Sequence, residues 1–316
     1  QKGLSMNKLE LVDIVKDYGD FHLKVDFSVK DGELVSILGP SGSGKTTILH
    51  IIAGFIREDK GMIVKDGVEI SNFPPEKRNI GIVFQDYALF PFLDVFSNIA
   101  FGLRVKHIEE GKVRELVEDM AEKLEISHVL HKSPDKISGG EAQRAAIARA
   151  LVVKPDILLM DEPMSSLDAK IREKLIQEVK SIKENYGLTI IYVTHDQREA
   201  MYLSDRIILF NSGKIEQIGT PYELYSNPDT PFAKTFIGKG NLLRIDGENI
   251  FVRPEDLVIT REGEYSGRID EIAFLGGTAE IIMETAFGKV TVQELYRNVE
   301  ELKPGQVVYF NIRKKS

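Results

Sequence analysis

The chain has 316 residues, with 41 Lys or Arg against 49 Asp or Glu and a net charge of −8. That length allows two domains with ample core, and the acidic balance argues against a protein that coats nucleic acid. Cysteine is absent, which excludes disulfides and thiolate metal sites and fits a reducing cytoplasm. No apolar run reaches the ~20 residues that span a bilayer, so any membrane role comes through a partner. Gln1 is no initiator and the first residues form no secretory signal, so Met6 is the expected natural start.

Alternating apolar and polar residues predict half-buried strands at 9–15 and 21–29, followed by a short apolar strand at 33–38. A glycine-rich loop comes next and opens a helix over 45–53. Residues 62–70, with Asp66-Gly67 in the middle, read as a hairpin, and 80–84 as a strand. Helical patterns cover 109–124, 141–152 and 169–185, and buried-type strands at 157–161 and 189–194 bracket the last of these. Strands alternating with helices imply an α/β domain with a mainly parallel sheet covered on both faces. After Gly238-Lys239-Gly240-Asn241 the helical period stops. Short strands at 250–252, 257–260, 267–273, 278–285, 289–292 and 307–312 predict a small all-β barrel or sandwich. The expected domains are therefore 6–240 and 241–316.

Three stretches carry the chemistry. The loop Gly39-Pro40-Ser41-Gly42-Ser43-Gly44-Lys45-Thr46-Thr47 lies between a strand and a helix, the setting in which backbone N–H groups and a helix N-terminus cradle phosphate. Lys45 supplies a point charge to the terminal phosphates, and the Thr46 hydroxyl suits Mg²⁺. Asp161 ends an apolar strand, where its carboxylate can hold Mg²⁺; Glu162, one residue on, is placed to orient or deprotonate a water. Between these two elements lies Ser138-Gly139-Gly140, followed by Glu141-Ala142-Gln143-Arg144. Small residues before a helix make a second anion site.

This third element, in this order with the other two, is similar to the signature of the ABC ATPases, and the resemblance runs from about Leu9 to the chain end. It implies ATP and Mg²⁺ as cofactors and a head-to-tail homodimer, in which Ser138, Gly139, Gly140 and Glu141 of one chain close over the γ-phosphate on the other. Ser165-Ser166-Leu167-Asp168 resembles the loop linking the two sites. Gln85, after strand 80–84, then touches Mg²⁺ and water, and His195, after strand 189–194, contacts the γ-phosphate. Tyr18 takes the place of an adenine-stacking ring; the alternative is a strand-end tyrosine packed on the core. His22, His50, His107, His128 and His131 have no such setting and read as structural or solvated. The family pattern is departed from at Ile137 and at Glu141. The Glu141 carboxylate sits near phosphate and weakens closure unless a base such as Arg144 offsets it.

Residues 78–91, 168–172, 194–197, 219–221 and 252–256, and the tail after Asn241, resemble an importer branch carrying an OB-like TOBE domain. That branch handles polyamines, ferric iron, oxyanions or sugars. The resemblance implies an ATPase at the cytoplasmic face of the cell membrane, working with transmembrane permease subunits and, indirectly, a substrate-binding protein. The short tail tilts the cargo away from a sugar. The apolar stretch 87–103 reads as part core and part permease groove, with Phe90 and Phe92 as the contact residues. The alternatives are a soluble ABC ATPase of translation or DNA repair, an ATP-dependent regulatory switch, and an exporter.

Overall fold

The computed structural model describes residues 7–165, 169–245 and 247–313, and the chain divides into two compact units, 1–227 and 228–316. The first unit is built on a ten-stranded mixed sheet. Its parallel half runs Arg206–Asn211, Leu34–Leu38, Thr189–Thr194, Ile157–Asp161, Ile80–Val83. Every residue of Leu34–Leu38, Ile157–Asp161 and Thr189–Thr194 is buried. Continuous apolar runs of this kind are what a sheet covered on both faces requires.

The other half is antiparallel. Val68–Glu69, Lys60–Lys65, Asn7–Asp17 and His22–Lys30 lie side by side, and Lys214–Gly219 joins the two halves. The join to His22–Lys30 is a single parallel pair, Lys214 with Lys24. His22–Lys30 alternates exposed and buried residues, as expected for a strand with one wet face. The predicted hairpin is present, turning through Asp66 and Gly67, both at positive φ.

One face of the sheet packs against the helix Lys45–Ala53, through Ile48, Leu49, Ile51 and Ile52. The other face packs with Val95–Val105, Glu110–Lys123, Gly139–Leu151 and Ala169–Tyr186. Burying each such Leu or Ile stabilises the fold by ~1.5–3 kcal/mol. The C-terminal end of Lys45–Ala53 is closed by Arg78, which is buried and donates from Nη1 to the carbonyls of Ile51 and Ile52, each at 2.9 Å. Its Nε and Nη2 donate to Phe73 and Ser71 carbonyls.

The second unit holds the two-stranded sheet Asn241–Ile245 with Glu248–Val252 and a five-stranded antiparallel sheet. The outer strands of the latter, Leu257–Thr260 and Gly288–Leu295, approach one another, so the sheet curls around Ile269, Ile281, Met283, Val292 and Phe310. The short helix Pro231–Phe236, which precedes the expected boundary at 240, groups with this β-unit. The reason is local: Lys234 lies over the Phe251 ring, and Arg253 donates to the Lys239 carbonyl at 2.8 Å.

Candidate active site

The candidate site lies at the carboxyl ends of the parallel strands, where open α/β sheets place their ligands. Register sets its layout. Leu38 pairs with Thr194, Val193 with Asp161, and Met160 with Val83. Chain segments 39–46, 161–162, 195 and 85 therefore leave the sheet along one edge.

In the loop, Gly44 has φ 101°, and a Cβ there would lie 2.5 Å from the Phe21 ring; at Gly39 it would meet the Phe210 carbonyl at 2.0 Å. Only glycine allows the backbone this close an approach. Lys45 folds back across the loop, donating to the Gly39 and Pro40 carbonyls at 2.9 and 2.8 Å. Burial lowers its pKa, opposed by Glu162 and Asp161. Ser43 is buried, and its Oγ has no hydrogen-bond partner among the described residues. An orphan donor, a desolvated ammonium and a helix N-terminus together fit a bound polyphosphate. Ser41 and Gly42 are exposed along the loop, and Thr47 lies in the first turn of the helix.

Thr46 Oγ1 donates to Asp161 Oδ1 at 3.1 Å. Burial pushes the Asp161 carboxyl up, and the Thr46 bond pulls it down. A hydroxyl and a carboxylate side by side fit Mg²⁺, which takes one or two protein oxygens and completes its shell with phosphate and water. Glu162 adopts φ 41°, and its N–H donates to the Val193 carbonyl at 3.0 Å. That conformation is costly for a non-glycine residue and is held by the sheet around it. The two carboxylate oxygens divide their partners: Oε1 lies 3.8 Å from Lys45 Nζ, and Oε2 lies 2.9 Å from His195 Nδ1. Gln85 is exposed in the turn after Ile80–Val83, two residues past the pairing of Val83 with Met160. Tyr18 is 50% exposed, with Lys16 Nζ 5.7 Å above its ring, so it is a presented ring and not a core residue.

Ser138 and Gly139 are exposed at the start of the helix Gly139–Leu151, and Gly140 packs against Ile171. The Ser138 N–H and hydroxyl both donate to Glu141 Oε2 at 2.7 Å, and the Glu141 N–H donates back to Ser138 Oγ at 3.4 Å, closing a capping box. Glu141 Oε1 lies 2.8 Å from His128 Nε2. These bonds, first from the Ser138 backbone, then its hydroxyl, then His128, lower the Glu141 pKa to about 2. Arg144, named as a base that could offset Glu141, pairs with Glu178 at 3.3 Å and Glu125 at 3.9 Å. His128 is exposed to solvent, in keeping with its reading as structural or solvated, and its ring lies against the Glu141 carboxylate. Asp168, with Ser166 and Leu167, lies outside the described residues.

The apolar stretch divides as expected between core and surface. Val95, Ile99, Ala100 and Leu103 are buried, whereas Phe92 is 80% exposed, with Phe101 and Val105 also open. Phe90 contacts both Phe92 and Phe101, with its ring tilted 31° and 51° to theirs. Sequence reasoning missed two residues that hold this loop. Asn98, fully buried, accepts from the Phe90 N–H at 2.8 Å and donates to the Phe90, Leu93 and Asp94 carbonyls. Arg149 donates to the Tyr87 and Ala88 carbonyls, where two successive residues have positive φ.

The fold and the glycine-rich loop together define a P-loop ATPase, with a second helix in the same unit that starts at a small-residue Ser138-Gly139-Gly140 turn. The chain belongs to the ABC transporter ATP-binding family. The ABC transporter family model matches residues 23–165 and the TOBE domain model residues 250–316. The chain is 45% identical to the spermidine/putrescine import ATP-binding protein PotA of Thermotoga maritima, over 81% of this chain and 70% of that one. It is 43% identical to PotA of Bacillus anthracis, over 81% and 80%. An uncharacterized ABC transporter ATP-binding protein of Sinorhizobium fredii, y4fO, is 41% identical over 98% and 93%. Among solved structures it resembles cbiO1 of Clostridium perfringens, part of the ABC transporter complex cbiONQ (TM-score 0.65, 28% identity, covering 70% of this chain and 91% of that one). It also resembles the ATP-binding cassette MJ0796 in a dimeric post-hydrolysis state bound to ADP and Pi (TM-score 0.61, 32% identity, 67% and 98%). Among the described residues no helix is long and apolar enough to cross a membrane.

Proposed function

We propose that this ATPase powers a membrane importer of polyamines, closing as an ATP-bound homodimer at the cytoplasmic face of permease subunits. The observation that carries the catalytic part is Glu162, whose carboxylate bridges Lys45 and His195 beside the Thr46–Asp161 pair. In this reading the loop and Lys45 bind the phosphates, while Thr46, Asp161 and Gln85 would hold Mg²⁺, which would supply charge neutralisation on the phosphates when bound. Glu162 takes the proton of the attacking water. His195 keeps Glu162 in place and reaches the γ-phosphate. Tyr18 stacks on adenine, and the partner protomer's Ser138-Gly139-Gly140 helix closes from the far side, with Asp168 in the linking loop. The importer and its polyamine cargo rest on the PotA relatives, and a substrate-binding protein is the expected source of that cargo. The exposed Phe92, Phe101 and Val105 suit an apolar permease segment.

Glu162→Gln tests the reading. It should bind ATP normally, hydrolyse it at least ~100-fold more slowly, and elute as an ATP-dependent dimer, because the base is needed only with the attacking water. Pulled from its own solubilised membranes, the trapped variant should bring a permease pair. A normal hydrolysis rate sinks the assignment of the base; recovery of ribosomal or DNA-repair partners alone sinks the importer.

A further inference from the structure

Behind His195, away from the phosphate loop, lies a buried polar cluster that the reading above does not use. Glu199, on the helix Gln197–Leu203, is 3% exposed. Its Oε2 accepts from the hydroxyls of Tyr192 at 2.8 Å and Thr194 at 2.7 Å, and its Oε1 lies 3.8 Å from Arg172 Nε. Arg172 Nη1 donates to Asp196 Oδ2 at 3.2 Å. Asp196 caps the helix, with Oδ1 accepting from the Arg198 and Glu199 N–H groups. The Asp196 N–H donates to Thr194 Oγ1 at 2.9 Å.

The residues on both sides of His195 are therefore tied to one buried carboxylate and one guanidinium. A small cavity of about 20 Å³ is lined by Glu162, Ser165, His195 and this cluster, so the reacting carboxylate and the buried one face the same space. Burying a carboxylate is costly, and a lone structural role would be served as well by an apolar side chain. Burial raises the Glu199 pKa against its two hydroxyl donors, and Arg172 favours the charged form.

We infer that Glu199 and Arg172 are positioning residues for His195, holding its loop so that the imidazole meets Glu162 in reacting geometry. Arg172 lies on the helix Ala169–Tyr186 and Glu199 on the helix after His195, so the pair fastens the histidine loop to an element from another part of the chain. The inference rests on the catalytic reading of His195, and the two are separable by experiment.

The test is a cycle of Glu199→Ala, His195→Ala and the double variant, read as ATP hydrolysis with kcat and KM resolved, in the full-length protein. Glu199→Ala should lower kcat by roughly tenfold or more with KM for ATP within about twofold, because the phosphates are held elsewhere. In the His195→Ala background the same substitution should cost nothing further. Glu199→Gln keeps an acceptor for Tyr192 and Thr194 and should recover most of the rate, and it serves if Glu199→Ala melts too early. An undiminished loss in the His195→Ala background, or a raised KM at normal kcat, overturns the inference. If His195→Ala alone runs at the normal rate, the catalytic reading of the histidine falls instead.

Discussion

The phosphate loop and the signature stretch each lead into a helix N-terminus, and both turn their donors inward in this structure. They do so in different ways. The loop hydrogen-bonds the Lys45 ammonium to the Gly39 and Pro40 carbonyls, with the Glu162 carboxylate farther off at 3.8 Å. The signature spends the Ser138 N–H and hydroxyl on the Glu141 carboxylate, an anion of the same sign as the ligand. On the proposed function, phosphate at the loop would displace carbonyls from Lys45, whereas phosphate at the signature would meet the Glu141 carboxylate, so nucleotide binding and dimer closure would carry separate electrostatic costs.

The strongest way to break this contrast is at Lys45. Lys45→Ala removes a buried charge, and nucleotide affinity should fall on the order of 100-fold. A fluorescent-nucleotide titration measures it, and affinity within about threefold of normal would show that the loop amides suffice alone.

A smaller effect separates the roles in the signature. In a Glu162→Gln background, Glu141→Gln keeps an acceptor for Ser138 and removes the negative charge. ATP-dependent dimerisation should tighten several-fold, approaching the tenfold that 1.4 kcal/mol represents, whereas Ser138→Ala should weaken it. Sedimentation across protein concentration reads both. Weaker dimers from Glu141→Gln would mean that the carboxylate helps closure.

The smallest effect is on stability. The Glu141 carboxyl titrates at about 2 in the folded chain against an ordinary 4.5. A depressed carboxylate contributes its full stabilisation above the ordinary value and loses it as pH falls towards the folded one. The wild-type chain should therefore outlast Glu141→Ala by at most about 1 kcal/mol near neutrality, with the gap in urea midpoint shrinking below about pH 4.5. A gap independent of pH would assign the cap to shape and not charge.

Local features of this molecule were legible in its sequence. The helix Lys45–Ala53 and the strands Ile157–Asp161 and Thr189–Thr194 have bounds set by an adjacent glycine loop or by short buried runs. The hairpin at Asp66-Gly67 announced itself through two residues that tolerate positive φ. The helix Val95–Val105 did not stand out, because exposed Phe101 and Val105 blur its apolar stripe. Its start is marked only by Asp94, which accepts from the Ser97 N–H.

Within the candidate site, residues that follow the strands directly were accessible from order along the chain. Their supports were not. His128 is thirteen positions from Glu141, and Arg172 is twenty-four from Asp196. Such pairs follow from how helices pack across the sheet, which no spacing along the chain encodes. Arg144 illustrates the opposite error: it is near Glu141 in sequence, yet its ion pairs are with Glu178 and Glu125.

Arg78 gives the helix Lys45–Ala53 a second charged end. At ~1.5 Å per residue the nine-residue helix is about 13 Å long. Aligned peptide dipoles place partial positive charge at the glycine-loop end and partial negative charge where the guanidinium sits. An anion at the first end and Arg78 at the second would each meet the complementary pole of one polarised rod. The guanidinium also ties that second pole to the Phe73 and Ser71 carbonyls, so the helix end and the turn after the hairpin are held as one piece.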